Sequence, residues 1–158
     1  MQPNNQPEFW LRGPIPEIPP LLQPAGHALL QAAEDISKYT QDFPESLLWD
    51  KRFERASIGF HLLHLTGVLD RMLTYAKGKT LTEEQFTFLR AEGQSDSKIT
   101  VEQLVQDFEN KVKEALEYFK TLSDSELTQF RPVGRKQLPS TVIGLLFHAA
   151  EHSQRHVG

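Results

Sequence analysis

Six histidines occur in the chain, and five of them fall in two segments at helical spacing. His148, His152 and His156 repeat every four residues, so on a helix successive rings lie about 40° apart around the axis and stack on one face. A His-x-x-x-His pair so placed can present two imidazoles to one metal ion. A third nitrogen is available from His64 or His61, which lie in an apolar stretch elsewhere in the sequence. One such pair is a weak signal, because histidine has many roles without a metal. Further imidazoles inside an otherwise apolar helix strengthen it, since burying them uncompensated costs free energy. Three neutral imidazoles would leave a divalent ion with open positions, as catalytic sites do. Such an ion lowers the pKa of a bound water or activates a thiolate. The donor set suits Zn, Ni, Fe, Cu or Mn to differing degrees.

The elements that must hold these rings are helical. Residues 1–24 carry seven prolines (Pro3, Pro7, Pro14, Pro16, Pro19, Pro20 and Pro24) and read as an extended lead-in, with Phe9, Trp10 and Leu11 anchoring it to the body. From residue 25 to 158 the pattern is one helical domain. A first helix follows from Ala28, Leu29, Ala32, Ala33, Ile36 and Tyr39. A second, from about Arg55 to Ala76, is apolar nearly all round in its first half, which marks a buried helix and predicts buried His61 and His64. Gly59 and Gly67 bracket those histidines, and glycine there signals something packed close against the backbone. Thr82 with Gln85 opens a short helix to about Ala91, and Thr100 with Gln103 opens a third long one. Ser123 with Glu126 caps a turn in a second long connection. The last helix starts near Ser140. No strand pattern competes, so the expectation is an all-α four-helix bundle with long crossover connections.

Phe60-His61-Leu62-Leu63-His64-Leu65, followed by Asp70-Arg71, resembles the second helix of DinB/YfiT-like proteins, where a histidine is the first metal ligand. The closing Glu151-His152-Ser153-Gln154-Arg155-His156-Val157-Gly158 is similar to that family's last-helix His-x-x-x-His-x-Gly segment, which gives the other two. The resemblance implies His64, His152 and His156 as ligands. His61 and His148, each within a turn of a presumed ligand, read as lining the pocket or bonded behind the ligands, and Glu151, beside His152, as a base, an acceptor behind a ligand or a solvated residue; spacing alone leaves His148 open in place of His156. The resemblance also implies an up-down-down-up bundle, a homodimer, and a thiol-dependent S-transferase or hydrolase acting on a small molecule, with a low-molecular-weight thiol. Family members usually continue past the His-x-Gly segment, so a chain stopping at Gly158 is expected to be truncated, with His156 on a frayed end. The competing expectation is a non-catalytic metal-binding or stress-response protein.

Composition bounds the rest. At 158 residues the chain is the size of one domain. It has no cysteine, which removes disulfides, thiolate nucleophiles and cysteine-based metal sites. A net charge of −4 is poor for gripping a phosphate backbone, so no nucleic-acid partner is expected. Arg131, Arg135 and Lys136 read as a solvated basic turn. Tyr39, Trp49 and Tyr75 read as packing residues. The longest apolar run, 142–147, falls far short of the about 20 residues a bilayer requires, and the N-terminus lacks a secretory pattern, so a cytoplasmic location is expected. There is no nucleophile elbow or glycine-rich phosphate loop.

Overall fold

The computed structural model describes residues 6–51 and 54–158; Pro3 of the lead-in and the rest of residues 1–5 lie outside it. The architecture is mostly helical. Helix α1 spans Gln23–Tyr39, α2 Ile58–Ala76, α3 Glu83–Ala91, α4 Val101–Lys120, the single turn α5 Asp124–Leu127, and α6 Val142–Val157. Helices α1 and α2 each pack against both α4 and α6. Caps set the starts of these helices, Thr82 and Thr100 as predicted and Ser57 and Thr141 without a prediction. Ser57, Thr82, Thr100 and Thr141 each accept a backbone N–H from the first turn they precede. Thr82 and Gln85 form the full reciprocal box, whereas the Gln103 amide turns away from Thr100 to Asp107.

The core lies where the apolar stripes meet. Phe108 and Phe119 of α4, Leu29 of α1, Leu69 of α2 and Leu146 of α6 are all at or within 1% of complete burial. Phe108→Ala should therefore destabilise the fold by about 3–5 kcal/mol, the range for emptying an aromatic site in a packed core. Chemical denaturation with an unchanged m-value would check it. No helix among the described residues is long and apolar enough to cross a membrane.

Two expectations need correction. The second long connection contains a hairpin: β1 (Phe130–Val133) pairs antiparallel with β2 (Leu138–Thr141), so the chain is not purely helical. The strands are four residues each and both contain proline, which normally argues against a strand. Here Pro132 sits directly opposite Pro139, where neither residue is required to donate a ladder hydrogen bond. The hairpin is tied to the end of α2 by Arg131, whose Nε donates to the Ala76 carbonyl at 2.8 Å. That contact spends the most defined cation of the predicted basic turn on a helix C-terminus.

The lead-in is not uniformly extended and is not anchored as expected. It makes 3-10 turns at Phe9–Leu11 and Pro20–Leu22. Trp10 and Leu11 are exposed. The attachment comes from polar groups and from the later isoleucine: Arg12 grips Glu34 of α1 in a two-pronged ion pair at 2.7 Å, Gln31 accepts from the Phe9 N–H, and Ile18 is buried.

Candidate metal centre

The start of α2 is fixed from two sides. Ser57 caps it, and the Trp49 ring lies flat against Gly59, where any Cβ would collide with it. This locks the turn that carries His61 and His64. The end of α6 runs past the same turn, so that the two helices face their histidines toward each other.

One nitrogen from each of His64, His152 and His156 lies within 4.8 Å of the other two. The tightest approach, His64 Nε2 to His152 Nε2, is 3.1 Å. Tetrahedral ligation with Zn–N bonds of 2.0–2.1 Å would separate neighbouring donors by about 3.3 Å, so this pair already stands near a ligating separation. The other two ring pairs have centroids 4.6 and 4.5 Å apart. The rings are half-buried, not buried as the apolar helix predicted, because they line the open end of the α2–α6 contact.

Each of the three rings has its Nδ1 occupied. His64 Nδ1 donates to Glu92 Oε2 at 2.7 Å. His156 Nδ1 meets His61 Nδ1 at 2.8 Å. His152 Nδ1 accepts from Arg155 Nη2 at 3.1 Å. Of the Nε2 atoms, those of His64 and His152 meet each other, and a metal-bound histidine characteristically bonds a partner through its other nitrogen. The residues therefore fit a divalent ion. The Glu92 bond fixes the tautomer that leaves His64 Nε2 free to ligate; the Arg155 bond favours the opposite tautomer of His152, and ligation would release it.

Glu92, which follows α3, is the residue that sequence reasoning missed. It is 2% exposed, and its second oxygen accepts from Arg71 Nη1 at 2.6 Å. Gly67 makes room for this pair: a Cβ there would run into the Glu92 carboxylate and the Arg71 guanidinium. His64, Gly67 and Arg71 lie at i, i+3 and i+7 on one face of α2, so the face held the signal of a carboxylate to come. Asp70 points elsewhere, accepting from Lys111 of α4 and Gln85 of α3 at 2.8 and 2.7 Å.

His61 lies behind His156, as a residue bonded to a ligand. His148 is outside the cluster, with its Nδ1 donating to Glu151 at 2.7 Å. Glu151 is shared between His148 and Arg155. The structure thus brings together the three expected ligands, with the His148 ring 5.2 Å from that of His152 but outside the three-nitrogen group.

Burial, and then the neighbouring His64, His152, His61 and Arg155, push the His156 imidazole down to about 4. Burial is also the first cause lowering His61 and His152. The charged groups beside the cluster are Glu92, Arg71, Glu151 and Arg155. In the metal-free protein the unfolded chain takes up a proton on His156 near pH 6.5, while the folded protein refuses it until about 4. Stability is therefore fully present above 6.5 and is lost as pH falls toward 4, by roughly 1–2 kcal/mol after discounting for the ring's contact with water. Denaturant midpoints at pH 7 and pH 4.5 would read this. Because both rings are lowered, proton competition for a metal at His152 and His156 also sets in below the ordinary imidazole value of about 6.5.

Fold and site together define a helical protein with a three-histidine cluster between two of its helices. The chain belongs to the DinB superfamily, whose family model matches residues 22–158. Its structure is similar to that of an uncharacterized protein from Clostridium difficile 630, with a TM-score of 0.60 at 13% identity, over 84% of this chain and 91% of that one. It is similar also to a Streptococcus pneumoniae protein, with a TM-score of 0.60 at 12% identity, over 84% of this chain and 86% of that one. At such identities the likeness concerns the fold alone. No curated protein matches the chain.

Proposed function

We propose that the protein binds one divalent ion (Zn, Ni, Fe or Mn) through His64, His152 and His156, and is a metal-dependent enzyme of the thiol S-transferase or hydrolase kind. The observation that carries the reading is the convergence of three imidazoles, one nitrogen of each within 4.8 Å of the other two, with every Nδ1 engaged by a neighbour outside the trio. A divalent ion held there supplies Lewis acidity toward water or a thiol. The chain's own part is to hold three neutral rings in register, with Glu92 and His61 fixing two of them from behind. With no cysteine in the chain, any thiol must arrive with the substrate.

The up-down-down-up order belongs to the same reading. Lys77 after α2 lies over the Tyr118 ring near the end of α4, as parallel helices would place them, and the histidines at the start of α2 meet those at the end of α6, as antiparallel ones would. A homodimer is proposed too, with support from the apolar groove flanked by exposed Leu21 and Phe147; a monomer by light scattering at high micromolar concentration would remove it.

Elemental analysis of the purified protein, followed by assay with a generic thiol and electrophile, tests the function. One equivalent of metal with turnover supports an enzyme. Metal without turnover of thiol or ester substrates supports the non-catalytic binding protein.

A further inference from the structure

A cavity of about 190 Å³ adjoins the metal centre between α1, α2 and α6. Ile36, Phe43, Leu62 and Leu65 form its walls, and His61 and His156 form one end. Among the described residues no Lys, Arg, Asp or Glu lines it. The Thr40 hydroxyl at its edge already donates to the Ile36 carbonyl at 2.7 Å, so it offers no free donor. The polar groups lining the space are therefore the two imidazoles, one of them the candidate ligand His156, and two hydroxyls, those of Thr40 and of the largely exposed Tyr39. An ionic group entering such walls would lose its hydration without a counter-charge. An uncharged hydrocarbon would exchange water for apolar contact. On volume, an apolar cavity of about 150 Å³ takes a benzene ring, so this one takes a single ring or a compact chain of similar bulk.

We propose that this cavity is a binding site for an uncharged, ring-sized hydrocarbon group, whose attached polar atoms would lie toward His156 and the metal centre. In naming that group as the body of the substrate, the proposal rests on the metal-enzyme reading above; the binding itself does not. Ile58 stands at the mouth and is 39% exposed, so Ile58→Trp can close the space from its rim without replacing a core residue.

The test is titration of the metal-free protein with toluene, followed by amide NMR. Saturable shifts clustered at Thr40, His61 and Val157 are expected, with at least a tenfold loss of affinity in Ile58→Trp. Benzoate, the charged counterpart, should bind at least tenfold more weakly than toluene to the unaltered protein, which keeps the test decisive if the variant misfolds. With the site loaded with Mn²⁺, bound toluene protons should relax faster than with Zn²⁺, because the cavity and the site share His156. Shifts that do not saturate, that centre on the Leu21–Phe147 groove, or that are equal for benzoate would overturn the proposal. So would the absence of Mn²⁺ relaxation when the metal is demonstrably bound. Failure of the metal reading would show separately, as no metal uptake by a protein that still binds toluene.

Discussion

His64→Ala is expected to abolish high-affinity binding of a divalent ion while leaving the helices folded. The ring is half-buried and supplies the Nε2 that stands 3.1 Å from its counterpart on His152, so its loss removes the only ligand contributed by α2. The buried carboxylate behind it is not stranded, because Arg71 still donates to Glu92. The loss of affinity should exceed the roughly 10–100-fold that follows from removing a residue bonded behind a ligand. His61→Ala should fall inside that smaller range, since His61 touches the cluster only through His156 Nδ1. Metal stoichiometry by elemental analysis, with far-UV circular dichroism as the check on folding, separates the two variants. If the order is reversed, the ligand on α2 is His61. If neither variant changes metal content, the histidines are structural and the enzymatic reading falls with them.

The helical positions of this site were legible in the sequence because periodicity is local. The His148, His152, His156 row and the apolar run around His61 and His64 each lie within one helix, so spacing alone could put their rings on one face. Gly59 and Gly67 announced close neighbours, but a glycine does not say what approaches it. In one case it is the Trp49 ring and in the other the Glu92–Arg71 pair. Glu92 was illegible for a further reason. It follows a short, exposed helix as one of several acids in a polar connection, and only the packing of α3 on α2 turns that acid inward. The hairpin was missed because proline-bearing strands of four residues carry no alternation long enough to read. The half-exposure of His61 and His64 depends on where α6 ends against α2, which no pattern within α2 encodes.

Glu92→Ala should be damaging twice over, and the two effects can be separated. Arg71 is 7% exposed and would be left as a buried cation without its carboxylate, a loss of about 3–5 kcal/mol in stability. His64 would also lose the acceptor that holds its proton on Nδ1, which should weaken metal binding by roughly 10–100-fold. Glu92→Gln should be intermediate, since His64 and Arg71 each bond a different carboxylate oxygen and the amide would put an NH₂ in place of one of them. The decisive variant is the double substitution Glu92→Ala with Arg71→Met, which removes the stranded charge along with the carboxylate. Its stability should recover most of the loss, because replacing both members of a buried pair is far milder than breaking it. Its metal affinity should stay low, because nothing then orients His64. Denaturant melts of the metal-free proteins and competition titrations of the metal report the two quantities independently. Recovery of metal affinity together with stability would mean that Glu92 serves the fold alone, and that His64 keeps its ligating tautomer without help.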